Sequence, residues 1–482
     1  MFNKLLIPAV VAVIAGCTMA PKYERPAAPV PTTLPSGPAY SPADSAGRGV
    51  MSGDILWQDF FADERMSKII ALALENNRDL RIAALNVERA GALYGISRAE
   101  LFPVVNGNAT ASRQHTPAGI NGSTAGSTST QYGVNLGVAS WELDFFGRIR
   151  SFKEAALQQY FASEQARNSA QILLISSVAR TYLTLAADRE NLLLAQTTLE
   201  SQQEGFKLIR QRFDQGISAE VDVFRAQGQV DVARRDISVY TQLVARDENA
   251  LNLLVGSQVA DDLKPATLAT VAPPAEVSAG VSSDVLLRRP DVLQAESLLK
   301  AANANIGAAR AAFFPRISLT GAVGTASSEL SGLFQSGSGA WNYGPQVVVP
   351  IFDARVWAAK RVSNADMKLA VAGYERAIQV SFREVADALA VRGTIDEQIA
   401  AQESLVHSFD ETYRISNVRY TRGVDSYLSV LDSQRSLFAS QQALVYLRLS
   451  KVINQVTLYS VLGGGWQPSQ LTPPTTQPTK NF

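Results

Sequence analysis

The feature that most limits how this chain folds is an internal duplication that contains very long stretches without proline. Residues 77–105 resemble residues 288–317 at a constant spacing of 212 positions. Residues 212–227 resemble residues 419–434 at a spacing of 207 positions. Two matched segments in the same order indicate that the second half of the chain repeats the plan of the first half.

Each copy begins with a helical stretch that runs to a Phe-Pro pair, at residues 102–103 and 314–315. Proline ends a helix, because it lacks an N–H and restricts the residue before it. Apolar residues then alternate with polar ones, which predicts strands with one apolar face. The alternating stretches are residues 132–138, 317–323 and 341–351, and Gly- and Ser-rich links that we expect to be exposed loops occupy 116–130 and 325–340.

Very long helices are expected to follow the strands. Proline is absent from residues 118–264 and again from residues 351–467. Residues 148–213 alone can form one helix of about 65 residues, or about 100 Å. Apolar or small residues recur along these stretches at the spacing of a coiled coil.

Each long helix must reverse where glycine allows a positive φ. Gly216 and Gly423 occupy these points, at equivalent places in the two copies. Ser218 and Asp425 follow them and are predicted to be the N-caps of the next helices.

The single cysteine, Cys17, ends the run Val-Ile-Ala-Gly-Cys, which is typical of a bacterial lipobox. The apolar run before it, residues 5–16, is too short to span a bilayer but suits a signal peptide. We therefore predict cleavage after residue 16 and acylation of Cys17. The alternative is an ordinary signal peptide and a free or buried thiol. After this segment the sequence predicts no transmembrane helix.

The composition argues against several classes of protein. The 44 basic residues balance 44 acidic ones, so nothing attracts the chain to nucleic acid. Two histidines and one cysteine supply neither a metal site nor a Ser-His-Asp triad, and we predict no cofactor. Acidic residues on the long helices are interpreted as solvated faces. Gly463, Gly464 and Gly465 follow a helix and are interpreted as its terminator rather than as a phosphate loop.

About four amphipathic strands cannot close a barrel within one chain. Open strand edges are too costly in hydrocarbon, so a membrane-spanning barrel would have to be shared between chains. Two, three or four chains would give eight, twelve or sixteen strands. The alternative is an antiparallel helical protein with two small hairpins and no membrane span.

The segments LIPAVVAVIAGC, NNRDL, LFP, WELDFFGRIR, RYTRGVDSYLSVLDSQRSLF and NQVTLYSVLGGGW resemble the outer membrane factors of drug efflux pumps. The likeness is to the OprM-like, lipid-anchored branch of the TolC superfamily. It implies a homotrimer whose twelve-stranded β-barrel continues into a long periplasmic α-helical barrel with a mixed collar. It also implies a periplasmic adaptor, an inner-membrane transporter of the resistance-nodulation-division class, and no catalytic activity.

The resemblance also assigns roles at the two helix reversals. Leu428 would form an apolar constriction, with Asp432 and Arg435 as ring or latch residues and Tyr420 in the polar links that hold the coils closed. The first-copy equivalents, Val221, Arg225 and Gly228, differ in character. The expected adaptor-docking residues at the tip turns are Gly216, Ser218, Gly423, Val424 and Asp425. From the residues alone, Asp432 and Arg435 could instead be a solvated ion pair, and Leu428 could be coiled-coil core.

The expected domain organisation has five parts. These are a signal peptide (1–16), a lipid-anchored leader (17–61), helical barrel and collar (62–102, 148–313 and 354–462), barrel hairpins (103–147 and 314–353) and a flexible tail (463–482). Three functions stay open: a drug exit duct, the same duct serving type I secretion or metal efflux, and a structural periplasmic lipoprotein. A hydrolytic enzyme is the remotest alternative.

Overall fold

The computed structural model describes residues 18–40, 55–119, 125–277 and 282–466. The predictions for the signal peptide, for Cys17 and for residues 467–482 of the tail lie outside these ranges. The helices are α1 Trp57–Phe60, α2 Glu64–Asn76, α3 Arg78–Ala99, α4 Arg148–Asp214, α5 Glu220–Val255, α6 Pro290–Ala311, α7 Ala354–Thr421 and α8 Tyr427–Val461. The strands are β1 Val105–Thr116, β2 Ser127–Leu143, β3 Arg316–Ser327 and β4 Gly339–Val348.

The two longest helices confirm the expectation drawn from the proline-free stretches. Helix α4 has 67 residues and α7 has 68, so each is about 100 Å long. Helix α6 starts at Pro290, where proline loses no intrahelical hydrogen bond. Helix α2 is capped by Asp63, whose carboxylate accepts a hydrogen bond from the Met66 N–H at 2.8 Å.

The prediction that no later stretch qualifies as a candidate transmembrane helix was wrong. Among the described residues, α4 contains a stretch that is long and apolar enough to cross a bilayer, although the sequence reading expected none. Of that stretch, 56% is buried inside the chain. Core helices of soluble proteins share these properties, so length and composition alone are weak grounds for a span.

Two compact units divide the chain. The first contains Met1–Ala27, Asn86–Ser163 and Gln294–Tyr374, and the second contains Ala28–Leu85, Glu164–Leu293 and Glu375–Phe482. The first unit holds one antiparallel sheet with strand order β1-β2-β3-β4. The central pairing, β2 with β3, joins the strands of the two sequence copies.

The sheet has one exposed apolar face, as the alternation predicted. Leu136 of β2 pairs with Val323 of β3, which pairs with Trp341 of β4, and all three side chains are exposed. Strands β1 and β4 are the edges. Pro345 lies within β4, and edge strands are the places in a sheet where proline is tolerated. The strand ends at Val348, three residues short of its predicted limit.

The aromatic residues of the sheet divide into two kinds. Trp341 and Tyr343 are exposed, and their rings stack with centroids 5.8 Å apart. Trp141 is half-buried and donates from Nε1 to the Leu101 carbonyl at 3.2 Å. Trp141 is therefore a packing residue, whereas Trp341 and Tyr343 suit a membrane interface.

The links between strands are shorter than expected. Strand β1 extends to Thr116 and β2 begins at Ser127, so residue 116 and residues 127–130 of the predicted link belong to the strands. Strand β3 likewise continues to Ser327.

The largest hydrophobic core lies in the second unit. It combines residues of α1, α2, α4, α5, α7 and α8 with the segment after α5. At its centre Phe60 stacks on Tyr459, with ring centroids 3.9 Å apart, and the Tyr459 hydroxyl donates to the Ile55 carbonyl. The folded body therefore begins before residue 62, where the leader was expected to end.

The start of the predicted tail is also packed. Gly463, Gly464 and Gly465 are buried, and the Gly465 carbonyl accepts a hydrogen bond from Gln171 at 2.9 Å. Positive φ at Gly463 and Gly465, 83° and 95°, fits the predicted helix terminator.

Candidate gate and docking tip

The two helix reversals of the second unit have the same backbone geometry. Gly216 has φ 75° and Gly423 has φ 77°. In each turn the glycine N–H bonds to the carbonyl three residues earlier, and the next N–H bonds to the carbonyl five residues earlier, at 2.8–2.9 Å. No atom lies within 4 Å of a Cβ built at either glycine, so the positive φ, and not crowding, requires glycine there.

The predicted N-caps were wrong by one residue. The cap positions are Ala219 and Ser426, and neither makes a side-chain cap hydrogen bond. The N–H of the residue after glycine still bonds back to the preceding helix, as Ile217 does to the Arg212 carbonyl. The next helix therefore starts one residue later than we predicted from the sequence.

Asp425 has a different partner in the structure. Its carboxylate accepts two hydrogen bonds from Arg419, Nε to Oδ2 at 2.6 Å and Nη2 to Oδ1 at 3.1 Å. This guanidinium lowers the pKa of the Asp425 carboxyl. In the first copy, Ser218 replaces the acid and its hydroxyl lies 3.5 Å from Asp222 Oδ2. The second turn therefore has a clamp across its base that the first turn lacks.

A small core joins the two hairpins at their tips. Its buried members are Ile209, Val223, Ala226, Tyr420, Tyr427, Val430 and Leu431. Tyr420 and Tyr427 have ring centroids 5.3 Å apart, and the Arg212 guanidinium lies 4.8 Å from the Tyr420 ring centroid. Burial and the neighbouring tyrosine hydroxyls raise the pKa of Tyr427. Tyr420 thus lies in an apolar link between hairpins of the same chain, and its role in closing the coils stays a prediction.

The residues expected at the gate lie on a different face of α8 from the residues of this core. Leu428, Asp432 and Arg435 are spaced by four and three residues, so they share one helix face. Leu428 is 52% exposed, and Asp432 and Arg435 are exposed too. Within the described part of the chain, neither charged group has a hydrogen bond or ion pair. The described chain therefore shows no ion pair between Asp432 and Arg435, and Leu428 is not packed within its own chain. The alternative of Leu428 as coiled-coil core stays a prediction.

The equivalent face of α5 is less charged. Val221 is 51% exposed, Gly228 has no side chain, and Arg225 is paired with Asp222 at 3.4 Å. The two helices therefore present unequal faces, one with a free acid and base and one with a paired base.

Val424, the remaining predicted docking residue, is 60% exposed at the turn, and so is its first-copy equivalent, Ile217, at 64%. Each tip therefore exposes one large apolar side chain beside its glycine.

The sequence reading missed polar contacts between helices. Asp188 of α4 and Asp247 of α5 are partly buried carboxyls that can share a hydrogen bond when one of them is protonated. Burial, the charge of Asp247 and this hydrogen bond raise the pKa of Asp188 to about 6. Interpreting all acids on the long helices as solvated was therefore wrong here. Aligning residues at a period of 3.6 could not have found the pair, because its members lie on different helices.

Comparisons with known proteins agree with this architecture. Residues 69–257 and 281–464 match the family described as outer membrane efflux protein. The antibiotic efflux pump outer membrane protein ArpC of Pseudomonas putida is 45% identical over 468 residues, 97% of this chain and 96% of that protein. The cation efflux system protein CusC of Escherichia coli O157:H7 is 40% identical over 471 residues, 96% of this chain and 99% of that protein. A crystal structure of a membrane protein from Pseudomonas aeruginosa superposes with TM-score 0.87 at 40% identity, covering 93% of this chain and 98% of that one.

Proposed function

Since this chain belongs to the outer membrane efflux protein family, whose members are outer-membrane channels, we propose that three copies assemble into one exit duct. One chain contributes four strands with an exposed apolar face and two edges, β1 and β4. This unclosed apolar sheet is the observation that carries the proposal. Edge groups must be paired in hydrocarbon, so β1 of one copy would pair with β4 of the next, and three copies would close twelve strands.

The proposed domain organisation follows from this assembly. Residues 103–147 and 314–353 cross the outer membrane, and the helical segments 62–102, 148–313 and 354–462 form the periplasmic barrel and collar. Residues 1–16 are the signal peptide, and Cys17 carries the acyl anchor at the start of the leader, residues 17–61. The duct conducts substrate and performs no catalysis.

The gate is formed by the free face of α8. Threefold symmetry would bring three Leu428 side chains together as an apolar ring, with Asp432 and Arg435 further along the lumen. A narrow apolar ring resists wetting, and rings of charge select for ions. The absence of partners for Asp432 and Arg435 within one described chain supports their use between chains or toward the lumen.

The tip turns dock the periplasmic adaptor, which links the duct to an inner-membrane transporter of the resistance-nodulation-division class. Gly216 and Gly423 give the turns their shape, while Val424, Asp425 and Ser218 lie at their surface. The substrates are organic drugs and solvents, as the names of several relatives describe for those proteins. A cation efflux relative keeps metal transport as the second candidate, and type I secretion is the third.

Single-channel recording in planar bilayers tests the duct and its gate together. The purified protein should give discrete conductance steps, and Leu428→Ala should increase the conductance or the open fraction. The matched control is Val221→Ala, which shortens an equally exposed apolar side chain at the equivalent position of the first copy. If neither the wild type nor any variant conducts, the duct is refuted and the alternative of a structural periplasmic lipoprotein remains. Equal effects of both substitutions would refute the assignment of the gate to α8.

Crosslinked purification from intact cells tests the partners. Recovery of an adaptor with a proton-driven transporter is the expected result. Recovery with an ATPase instead would support secretion.

A further inference from the structure

A cavity of about 270 Å³ lies in the second unit, beside the first half of α4. Its walls come from α4, α7, the end of α8 and the start of α6. The α4 residues of the lining are spaced by three, one, three and four positions, so they share one face of the helix. They are Ser169, Ile172, Leu173, Ser176 and Arg180.

Arg180 is a partly buried cation without an acid beside it. Its Nε–H is buried and has no hydrogen bond partner among the described residues. The same guanidinium donates from Nη2 to the Thr457 hydroxyl at 3.2 Å. Burial lowers the pKa of Arg180, and no neighbouring carboxylate raises it. A guanidinium that is removed from water without a counter-charge destabilises the folded chain, so an anion bound beside it would offset that cost.

Arg289, on another wall of the cavity, is a fully bonded guanidinium. It donates to both carboxylate oxygens of Asp291, at 3.0 and 2.8 Å. It also donates to Glu384 and to the Val461 carbonyl, both at 2.8 Å. The two acids of the lining are therefore bound to Arg289, and with Arg180 the two cations balance them. A ligand with one negative charge fits this lining better than a dianion, which Asp291 and Glu384 would repel.

The rest of the lining defines the shape of the ligand. Ile172, Leu173 and Val461 supply apolar surface. The Ser169 hydroxyl is buried and has no hydrogen bond partner in the described part of the chain. Ser169 and Arg180 are eleven positions apart, a rise of about 16 Å along the helix, and the arginine side chain leans back toward the N-terminus. The ligand is therefore elongated, with a charged group at one end and a hydrogen-bonding group at the other.

Helix α7, the duplicate of α4, has no equivalent face. The spacing of 207 residues that relates the ends of the two helices also relates Arg180 to Asp387. The same spacing relates Ser176 to Arg383. An acid replaces the cation, and a cation replaces a hydroxyl. The duplicated backbone therefore does not itself require the polar residues of the α4 face.

From these contacts we propose that the cavity binds an elongated organic monocarboxylate, held by Arg180 at its charged end and by Ser169 at its polar end. The free N–H groups of Arg180 would donate to the carboxylate oxygens in a charge-assisted pair. The apolar body of the ligand would lie over Ile172 and Leu173. All lining residues belong to one chain and one unit, so the proposal does not rest on the exit duct.

Isothermal titration calorimetry of the purified full-length protein in a neutral detergent measures this binding. The probe is para-hydroxyphenylbutyrate, and its uncharged analogue para-hydroxyphenylbutanol controls for uptake into micelles. The acid should bind saturably, and the alcohol should bind about tenfold more weakly or not at all. Arg180→Gln should weaken binding of the acid by about tenfold or more, for the same reason. Ser169→Ala should weaken it about threefold, and should have no effect on phenylbutyrate, which lacks the hydroxyl.

Arg376→Gln is the matched control. It makes the same change at an exposed arginine of α7, at the position equivalent to Ser169, and should leave binding unchanged. Equal binding of the acid by the wild type and by Arg180→Gln would overturn the site, as would equal binding of the acid and the alcohol.

Thermal unfolding without the probe distinguishes a solute from a carboxylate of a neighbouring copy. If the guanidinium is free to take a solute, Arg180→Gln should be at least as stable as the wild type, because it removes an unpaired charge. A less stable Arg180→Gln, together with a wild type that does not bind the probe, would assign Arg180 to a neighbouring copy and overturn the proposal. Absence of conductance would refute the duct and leave the binding results unaffected.

Discussion

The Asp188–Asp247 pair makes stability depend on pH in an unusual direction. Burial and the neighbouring carboxylate raise the pKa of Asp188 to about 6, against an ordinary 3.8. Below about pH 6 we therefore expect Asp188 to hold a proton in the folded chain and to share it with Asp247. Between pH 4 and 6 the folded state binds more protons than the unfolded state, so the free energy of unfolding falls as pH rises.

The size of the effect follows from the shift. A shift of about two units corresponds to about 3 kcal/mol at about 1.4 kcal/mol per unit. Both side chains are partly exposed, and solvent screens their interaction, so about 1.5 kcal/mol is the expected loss. Oδ2 of Asp247 is buried without a hydrogen bond partner in the described part of the chain, which adds to the cost of the charged pair.

Asp188→Asn tests this reasoning, because an amide donates the same hydrogen bond without needing a proton. Thermal unfolding of the wild type and the variant should be followed from pH 4 to pH 8. The variant should gain stability over the wild type as pH rises from about 4 to about 6, and should keep that advantage at higher pH. Subtracting the free energy of unfolding of the wild type from that of the variant cancels the contribution of paired carboxylates such as Glu248. The lowered pKa of Glu248 makes stability change with pH in the opposite direction. A difference that is flat across this range, or that favours the wild type at pH 8, would refute the shared proton.

Three other predictions concern the turns, the tip core and the sheet. Gly423→Ala should cost about 1 kcal/mol because its φ is 77°, whereas Gly228→Ala, in an open position of α5, should be neutral or stabilising, as thermal unfolding would report. Tyr427→Ala should cost about 3–4 kcal/mol and expose the tips to limited proteolysis, while Tyr427→Phe, which keeps the ring, should cost under about 1 kcal/mol. Gly324→Ala would push a methyl group into the Val134 carbonyl and should abolish heat-resistant oligomers on gels, whereas Gly344→Ala has free space and should retain them.

The long helices and their reversals were predictable because few residues determine them. Missing prolines permit α4 and α7, and a glycine with positive φ ends each one. The residues of β1 did not by themselves predict a strand, because apolar and polar residues do not alternate along it. It exists because it pairs along its whole length with β2, from Val105 opposite Val138 to Thr116 opposite Ser127. Pairing of this kind is a property of the partner strand and cannot be read from β1 alone.

The site was predictable in position but not in contacts. The matched tip segments located the turns, and periodicity placed Leu428, Asp432 and Arg435 on one face. The clamp between Arg419 and Asp425 was missed because a capping rule assigned the acid to the backbone instead. The contacts of Glu296 with Arg25 and Lys300 were missed because residues 18–25 have no regular structure, so no periodic signal marks the residues that bind them.

Comparing the two copies distinguishes residues that the turn geometry requires from residues that differ because their surroundings or roles differ. Both tips share one turn geometry, so the backbone and glycine requirements of the two copies are the same. Beside the glycine both copies expose an apolar side chain, Val424 and Ile217, but other outward positions differ in charge: Asp425 against Ser218, and Asp432 against Arg225. These differences support our proposal that the second copy forms the gate, while the first copy completes the ring.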